Sequence, residues 1–237
     1  MSDDEARFGG VEFGRPQSWR QRIVYFVLHR LAQIVFRLYF RTWSRGRERF
    51  PMKGPVIICP AGHRSNLDTP LVGSYTHRQL RYMAKDSLFT SPFWTRFIVA
   101  LGGFPVHRDR LDRKALGYAT ACLERGEALV VFPEGERKQG PRVQPLLEGA
   151  VWLSVRTGVP ILPLGVGGSE QAMPKGTVVP RPRAIRFVTG ELTWPPEPNE
   201  RGRVSREAIT KATEDLRETL QGLFDEAQVW AGSPNER

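Results

Sequence analysis

The chain has 237 residues, of which 40% are hydrophobic and 25% are charged. Such a chain can bury a core, which excludes fibrous and intrinsically disordered proteins. The 35 lysines and arginines outnumber the 25 aspartates and glutamates, giving a formal net charge of +10. This excess predicts an anionic partner: nucleic acid, an anionic membrane or a phosphorylated substrate.

The first residues predict where the protein works. Residues 1–19 are predicted to be a loose leader. The opening Met-Ser-Asp-Asp-Glu is acidic where a secretory signal is basic, so no signal peptide is expected. Cys59 and Cys122 stand far apart, and together with four scattered histidines they form no zinc-ligand spacing. We therefore predict a reducing, cytosolic environment, without disulfides or a metal site.

Residues 20–49 are predicted to form a basic amphipathic helix. From Ile23 to Phe40, 14 of 18 residues are apolar. Two arginines inside this run argue against a membrane-spanning helix. On a helical wheel one narrow arc holds the polar residues, namely Arg22, His29, Arg30, Gln33, Arg37 and Arg41. The pattern favours a helix lying in a membrane interface over a core helix with one solvated stripe.

Residues 50–237 are predicted to form a single α/β domain that ends in a helix after Ser205. Short apolar runs bounded by turn residues predict buried strands, and amphipathic stretches between them predict helices. The strands are Val56–Cys59, Leu80–Ala84, Gly103–Val106, Ala128–Phe132, Ile161–Val166 and Ala184–Val188. The helices are Thr69–Thr76, Pro92–Ala100, Arg113–Arg125 and Leu146–Thr157. This alternation predicts a mixed, largely parallel sheet covered by helices.

The segment between the first of these strands and the first of these helices carries His63 and Asp68. An imidazole at a strand end can act as a general base, and a nearby carboxylate can hold its tautomer. Five residues turn a regular helix by about 500°, so the two side chains meet only if a turn separates them. Ser65-Asn66 permits such a turn. The alternative from the residues alone is a loop histidine and a helix-capping aspartate.

Three more blocks follow His63–Asp68 along the chain: Gly102–Arg108, Phe132–Arg137 and Val159–Leu164. In this order the four blocks resemble those of the glycerolipid and lysophospholipid acyltransferases, the family of 1-acylglycerol-3-phosphate acyltransferase. The resemblance covers about residues 50–190. It implies that His63 deprotonates an acceptor hydroxyl and that Asp68 orients His63. The acceptor alcohol is then itself the nucleophile, and no acyl-enzyme forms.

The resemblance also implies a substrate-binding set, made of Lys85, Arg108, Glu134, Gly135 and Arg137. Arginines can bind phosphate oxygens through paired hydrogen bonds. Taken alone, however, Arg108 is more typical of a solvated charge run, and Arg137 of a surface salt bridge with Glu134 or Glu136. The implied partners are acyl-CoA or acyl carrier protein as donor, a lysophospholipid acceptor and an anionic membrane surface. No cofactor, metal or nucleic acid is implied, and the implied location is the cytoplasmic face of the membrane, with peripheral or monotopic attachment.

Two positions depart from the family pattern and bear on the acceptor. Glu136 stands where threonine is usual, and His107 stands where an acidic or polar residue is commoner. The acceptor predicted first is 1-acylglycerol-3-phosphate, which would yield phosphatidic acid. The alternatives are another lyso-lipid or a glycolipid, or a non-enzymatic basic protein that binds membranes or nucleic acid.

Overall fold

The computed structural model of the chain describes residues 13, 18–107, 112–200 and 202–235. Seven strands form one sheet with the order β1-β7-β6-β2-β5-β3-β4. The strands are β1 (Trp43–Arg45), β2 (Val56–Ala61), β3 (Leu80–Lys85), β4 (Gly103–Val106), β5 (Ala128–Val130), β6 (Ile161–Gly167) and β7 (Arg186–Thr189). Strands β2 to β6 run in parallel, whereas β7 is antiparallel to β6 and parallel to β1. The predicted α/β fold is confirmed.

The described residues form seven helices around the sheet: α1 (Trp19–Tyr39), α2 (Asp68–Tyr75), α3 (Pro92–Ala100), α4 (Arg113–Glu124), α5 (Gly149–Thr157), α6 (Ser169–Ala172) and α7 (Arg206–Trp230). Two 3₁₀ turns cover Arg47–Arg49 and Asp86–Leu88. Two hydrophobic clusters lie on opposite faces of the sheet. One joins β2 to α4, α5 and α7, and the other joins it to α2 and to the residue that follows α1. Because β2 is buried on both faces, its side chains form a continuous apolar run.

The last helix, α7, packs directly on β6 through backbone contact. A Cβ atom placed on Gly167 would lie 2.2 Å from the carbonyl oxygen of Ala227. A second connection is polar, since the backbone N–H of Gly168 donates to the Gln228 side chain over 2.7 Å. Any side chain at Gly167 would therefore push α7 off the sheet.

The predicted helix over residues 20–49 is wrong in its second part. Helix α1 ends at Tyr39, and Arg41 has a positive φ of 47°, which no helix continues through. Phe40 is buried, and the N–H of Trp43 donates to the carbonyl oxygen of Ile185, which starts the edge strand β1. A strand of three residues carries too little periodicity to be recognised in the sequence.

Helix α1 packs on the body through one mixed side and leaves most of its apolar side chains exposed. Tyr25 and His29 are buried, and Gln33 donates to the carbonyl oxygens of Ser74 and Thr76. The exposed apolar side chains are Trp19, Ile23, Val24, Phe26, Val27, Leu31, Ile34, Val35, Leu38 and Tyr39. This exposure contradicts the alternative in which the helix lies in the core and only its polar stripe is solvated. No helix within the described residues is long and apolar enough to cross a bilayer.

Other boundaries shift by one to three residues. Strand β5 ends at Val130, two residues before the predicted end. Helix α5 begins at Gly149 because the N–H of Leu147 donates to the carbonyl oxygen of Pro133 and so belongs to a loop. The short helix α6 was not predicted. The leader lies almost entirely outside the described residues.

Candidate active site

The site is built on the turn that leaves β2, the central strand of the seven-stranded sheet. Gly62 follows β2 with a positive φ of 77°, and a Cβ atom there would lie 2.4 Å from the ring of Phe224 on α7. Glycine is therefore required by both backbone conformation and space. The turn delivers His63 to the carboxyl edge of the sheet, where open α/β sheets commonly bind ligands.

His63 and Asp68 form a buried hydrogen-bonded pair. Nδ1 of His63 lies 3.0 Å from Oδ2 of Asp68. The same oxygen accepts the backbone N–H of Arg64 over 2.8 Å and that of Ser65 over 2.7 Å. Asp68 thus closes the turn predicted at Ser65-Asn66 and brings the two side chains together. The carboxylate therefore closes the loop and orients the imidazole. The helix-capping alternative is wrong, because Asp68 is the first residue of α2 and its carboxylate bonds the loop rather than the helix N–H groups.

This arrangement fixes the tautomer of the His63 ring. A carboxylate only accepts hydrogen bonds, so the proton of the Nδ1···Oδ2 bond belongs to Nδ1. The ring also stacks on Phe132, with centroids 4.2 Å apart and an angle of 28° between the planes. No described residue hydrogen-bonds Nε2. The imidazole therefore presents its basic nitrogen away from Asp68, which suits proton abstraction from a hydroxyl.

Arg64, the next residue, makes an internal ion pair with Glu134. Its Nη1 donates to both carboxylate oxygens, over 3.1 and 3.0 Å, and both side chains are 1% exposed. Burying two charges is unfavourable unless they are paired and hydrogen-bonded on every side. The pair meets this condition and joins the loop after β2 to the loop after β5.

The remaining donors of Arg64 organise the second loop further. Nε donates to the carbonyl oxygen of Gly140 over 3.2 Å, and Nη2 donates to that of Arg142 over 2.8 Å. The backbone N–H of Lys138 donates to the carbonyl oxygen of His63 over 3.0 Å. The loop after β5 is therefore bound to the loop that carries the imidazole, although about 70 residues separate them in sequence.

The described residues among those predicted to bind substrate lie at the end of β3 or after β5, at the sheet edge that carries His63, but they differ in accessibility. Lys85, at the end of β3, and Arg137 are exposed, whereas Glu134 is buried. Arg108 lies outside the described residues. Glu136 pairs with Lys138 over 2.7 Å, so the unusual carboxylate is engaged by a neighbouring cation.

Glu134 and Gly135 have visible structural duties. The Glu134 carboxylate is held by Arg64 and by the backbone N–H of Gln144, over 3.1 Å. The N–H of Gly135 donates to the carbonyl oxygen of Phe132 over 3.0 Å, which closes the turn after β5. Direct contact of either residue with substrate stays a prediction.

Neither the role of Arg64 nor the stacking of His63 on Phe132 was predicted from the sequence. A buried arginine is rare, and its partner lies in a different motif. The signal available in the sequence was the presence of Arg64 inside the first block and of Glu134 inside the third. Their pairing becomes visible only once the two loops are seen to meet.

Comparison with known proteins identifies the family. Residues 41–167 match the model of the family described as Acyltransferase. A chloroplastic 1-acyl-sn-glycerol-3-phosphate acyltransferase of Brassica napus is 26% identical over 163 residues, covering 67% of this chain and 46% of that protein. The enzyme of that name from Pseudomonas aeruginosa is 28% identical over 149 residues, covering 62% and 56%. The chain spans about half the length of the curated relatives it matches.

A solved structure resembles the whole fold. The 1-acyl-sn-glycerophosphate acyltransferase PlsC from Thermotoga maritima superposes with a TM-score of 0.68 at 24% sequence identity. The match covers 92% of this chain and 85% of that protein. At this identity the likeness establishes the fold.

Proposed function

Because the chain belongs to the acyltransferase family, we propose that it transfers a fatty acyl group from a thioester donor to the hydroxyl of a lysophospholipid. The observation that carries the proposal is the 3.0 Å contact between His63 Nδ1 and Asp68 Oδ2 at the carboxyl edge of the sheet. The names of the relatives favour 1-acylglycerol-3-phosphate as acceptor and phosphatidic acid as product. The donor is acyl-CoA or acyl carrier protein, and no cofactor takes part.

The proposed reaction assigns one proton path. Nε2 of His63 accepts the proton of the acceptor hydroxyl while its oxygen attacks the thioester carbonyl. The new C–O bond forms, the C–S bond breaks, and the imidazolium returns the proton to the leaving thiolate. Asp68 stabilises the imidazolium through Nδ1 and prevents the ring from turning. The acceptor attacks directly, so the protein supplies no nucleophile.

The phosphate of the acceptor needs cations near this edge. Lys85 ends β3 and Arg137 follows β5, two neighbouring strands of the sheet. Both side chains are exposed, and neither has a salt-bridge partner among the described residues. We assign them, together with Arg108, to the phosphate, with arginine making paired contacts and lysine a point charge. This assignment extends the predicted roles of these residues.

The exposed apolar side of α1 is proposed to lie in the membrane interface, on the cytoplasmic face. Leu88, Phe93 and Trp94 extend the apolar surface near the start of α3, and α3 packs beside α1. Exposed apolar area this large, rimmed by arginines, is typical of an interfacial helix. Such attachment would let the acceptor reach His63 without leaving the lipid phase.

The proposed function is tested with a panel of acceptors. Purified protein is incubated with acyl-CoA and lysophosphatidate, lysophosphatidylglycerol, lysophosphatidylcholine or a glycolipid, and products are measured by mass spectrometry. We expect phosphatidic acid as the main product. Acylation of another acceptor alone would retain the chemistry and correct the substrate. Absence of every product with both acyl-CoA and acyl carrier protein donors would contradict the enzyme.

Membrane attachment is tested by making the exposed side of α1 polar. The variant Phe26→Ser/Leu31→Ser/Leu38→Ser removes three exposed apolar side chains of α1. We expect at least a tenfold loss of binding to vesicles, because each side chain contributes about 1.5–3 kcal/mol when it is buried in lipid. The control Met52→Ser/Trp194→Ser removes exposed apolar area elsewhere. Equal sedimentation of both variants with vesicles would refute the attachment.

A further inference from the structure

Arginine and tryptophan side chains alternate along the β1 edge of the sheet, at the end of α1. The guanidinium of Arg37 lies 3.5 Å from the ring centroid of Trp43, and that of Arg186 lies 5.2 Å from the ring of Trp230. Arg186 also donates to the carbonyl oxygen of Arg41 over 2.7 Å. These five residues are named here the arginine–tryptophan cluster. Stacking on indole holds a guanidinium in place without using its N–H donors.

The positive charge of this cluster is poorly neutralised. Among the described residues no arginine of the cluster has a salt-bridge partner. The neighbouring Arg45, which also stacks on Trp230 at 4.2 Å from the ring centroid, pairs with Glu226 over 3.4 Å. Nε of Arg186 is buried with no hydrogen-bond partner among the described residues. Burial lowers the pKa of Arg186, and the charges of Arg41 and Arg37 lower it further. Like charges held together in this way favour binding of an anion.

The cluster lies at the carboxyl edge of the sheet, where His63 also lies. Trp43 on β1 pairs with Arg186 on β7, and Arg186 pairs with Gly167 at the carboxyl end of β6. Two residues earlier on β6, Gly165 pairs with Ala61, the last residue of β2 before the turn to His63. Three strand spacings separate β1 from β2, a distance of about 14 Å. The cluster is therefore separate from the residues proposed to hold the acceptor phosphate, which lie on the β5 and β3 side of His63.

The exposed apolar side of α1 leads directly into the cluster. Leu38 is 75% exposed and Trp43 is 54% exposed, and they flank Arg41 in the chain. Two members of the predicted polar stripe, His29 and Gln33, turn towards the body, whereas Arg37 and Arg41 do not. Apolar surface that ends in arginine and tryptophan matches the boundary between acyl chains and head groups.

We propose that the arginine–tryptophan cluster binds the phosphate head group of an anionic phospholipid in the bilayer, at a site distinct from the active site. Arg37 and Arg41 contact the phosphate oxygens, and Trp43 lies at the level of the glycerol. Binding there turns the sheet edge that carries His63 towards the membrane. The proposal rests on the proposed attachment of α1 to membranes and is independent of acyl transfer.

The test compares vesicle binding of two variants that lose the same charge. Arg37→Gln/Arg41→Gln changes the cluster, and the control Lys53→Gln/Arg206→Gln changes two exposed cations elsewhere. Binding is measured by sedimentation with phosphatidylcholine vesicles, with and without phosphatidylglycerol. For the cluster variant we expect about a 30-fold loss on anionic vesicles, from about fivefold for each of the two charges near the surface. The control should lose no more than about threefold, and binding to neutral vesicles should change in neither variant.

A third variant separates a shaped site from charge alone. Arg37→Lys/Arg41→Lys keeps both charges but lacks the planar fork that pairs with phosphate. We expect it to recover only part of the binding to anionic vesicles. Full recovery, or an equal loss in the Lys53/Arg206 control, would overturn the site in favour of general electrostatic attraction. Because neither donor nor acceptor is present, these outcomes do not depend on whether the acyl-transfer proposal holds.

Discussion

The variant His63→Ala is expected to lose acyl-transfer activity by about 10²–10⁴-fold in kcat/KM, the range attributed to general-base catalysis. The base Nε2 is lost, while Asp68 keeps its hydrogen bonds to the backbone N–H groups of Arg64 and Ser65. The turn therefore survives and the protein stays folded. Activity is measured as product formed per time with the acceptor identified in the panel.

The matched control for this variant is His77→Ala, because His77 is exposed and lies after α2, at the opposite edge of the sheet. It should retain parental kcat/KM. Asp68→Asn is expected to fall between the two, because the amide can no longer enforce the Nδ1–H tautomer. A His63→Ala protein that kept more than a tenth of parental activity would show that His63 is not the base.

Breaking the Arg64–Glu134 pair is expected to destabilise the protein strongly. Removing one partner of a buried ion pair costs about 3–5 kcal/mol, because the other charge is left buried and uncompensated. Arg64→Met and Glu134→Gln should each remove a large fraction of the free energy of unfolding and lower the urea midpoint in proportion. The double variant should lose less than the sum of the two, because no unpaired charge remains.

Two comparisons separate this explanation from its rivals. Arg217→Ala breaks the exposed pair with Glu214 and should leave the urea midpoint close to that of the parent. If Glu134 instead contacted the acceptor directly, Glu134→Gln would raise the KM for the acceptor while leaving the midpoint unchanged. The buried geometry predicts the reverse order of effects, with a lowered midpoint as the first sign.

The sequence predicts well those strands and helices whose bounds are set by local patterns of apolar and turn residues. The strand β4 and the helix α3 agree with their predicted bounds, because an apolar run and the turn residues that bound it are neighbours in the chain. The edge strand β1 and the end of α1 could not be predicted, since they depend on Ile185 and on the buried Phe40, which belong to the tertiary structure. Local propensity yields there to pairing with a distant strand.

The candidate site divides in the same way. His63 and Asp68 are recognisable because they stand five residues apart in one motif, and the turn between them meets the geometric condition derived from spacing. Arg64 and Glu134 each lie inside a recognisable block, but spacing says nothing about contact between blocks. Accessibility was equally hidden, since a charged side chain is expected at the surface and Glu134 is inside.

The packing of α7 on β6 means that the segment matched by the family model is smaller than the unit that folds. The family match ends at residue 167, yet the carbonyl oxygen of Ala227 rests against Gly167 and the ring of Phe224 against Gly62. A fragment cut after residue 167 would lose α7, and with it the Phe224 ring that packs against the turn after β2. A chimera of two related chains should therefore take α7 and β6 from the same parent.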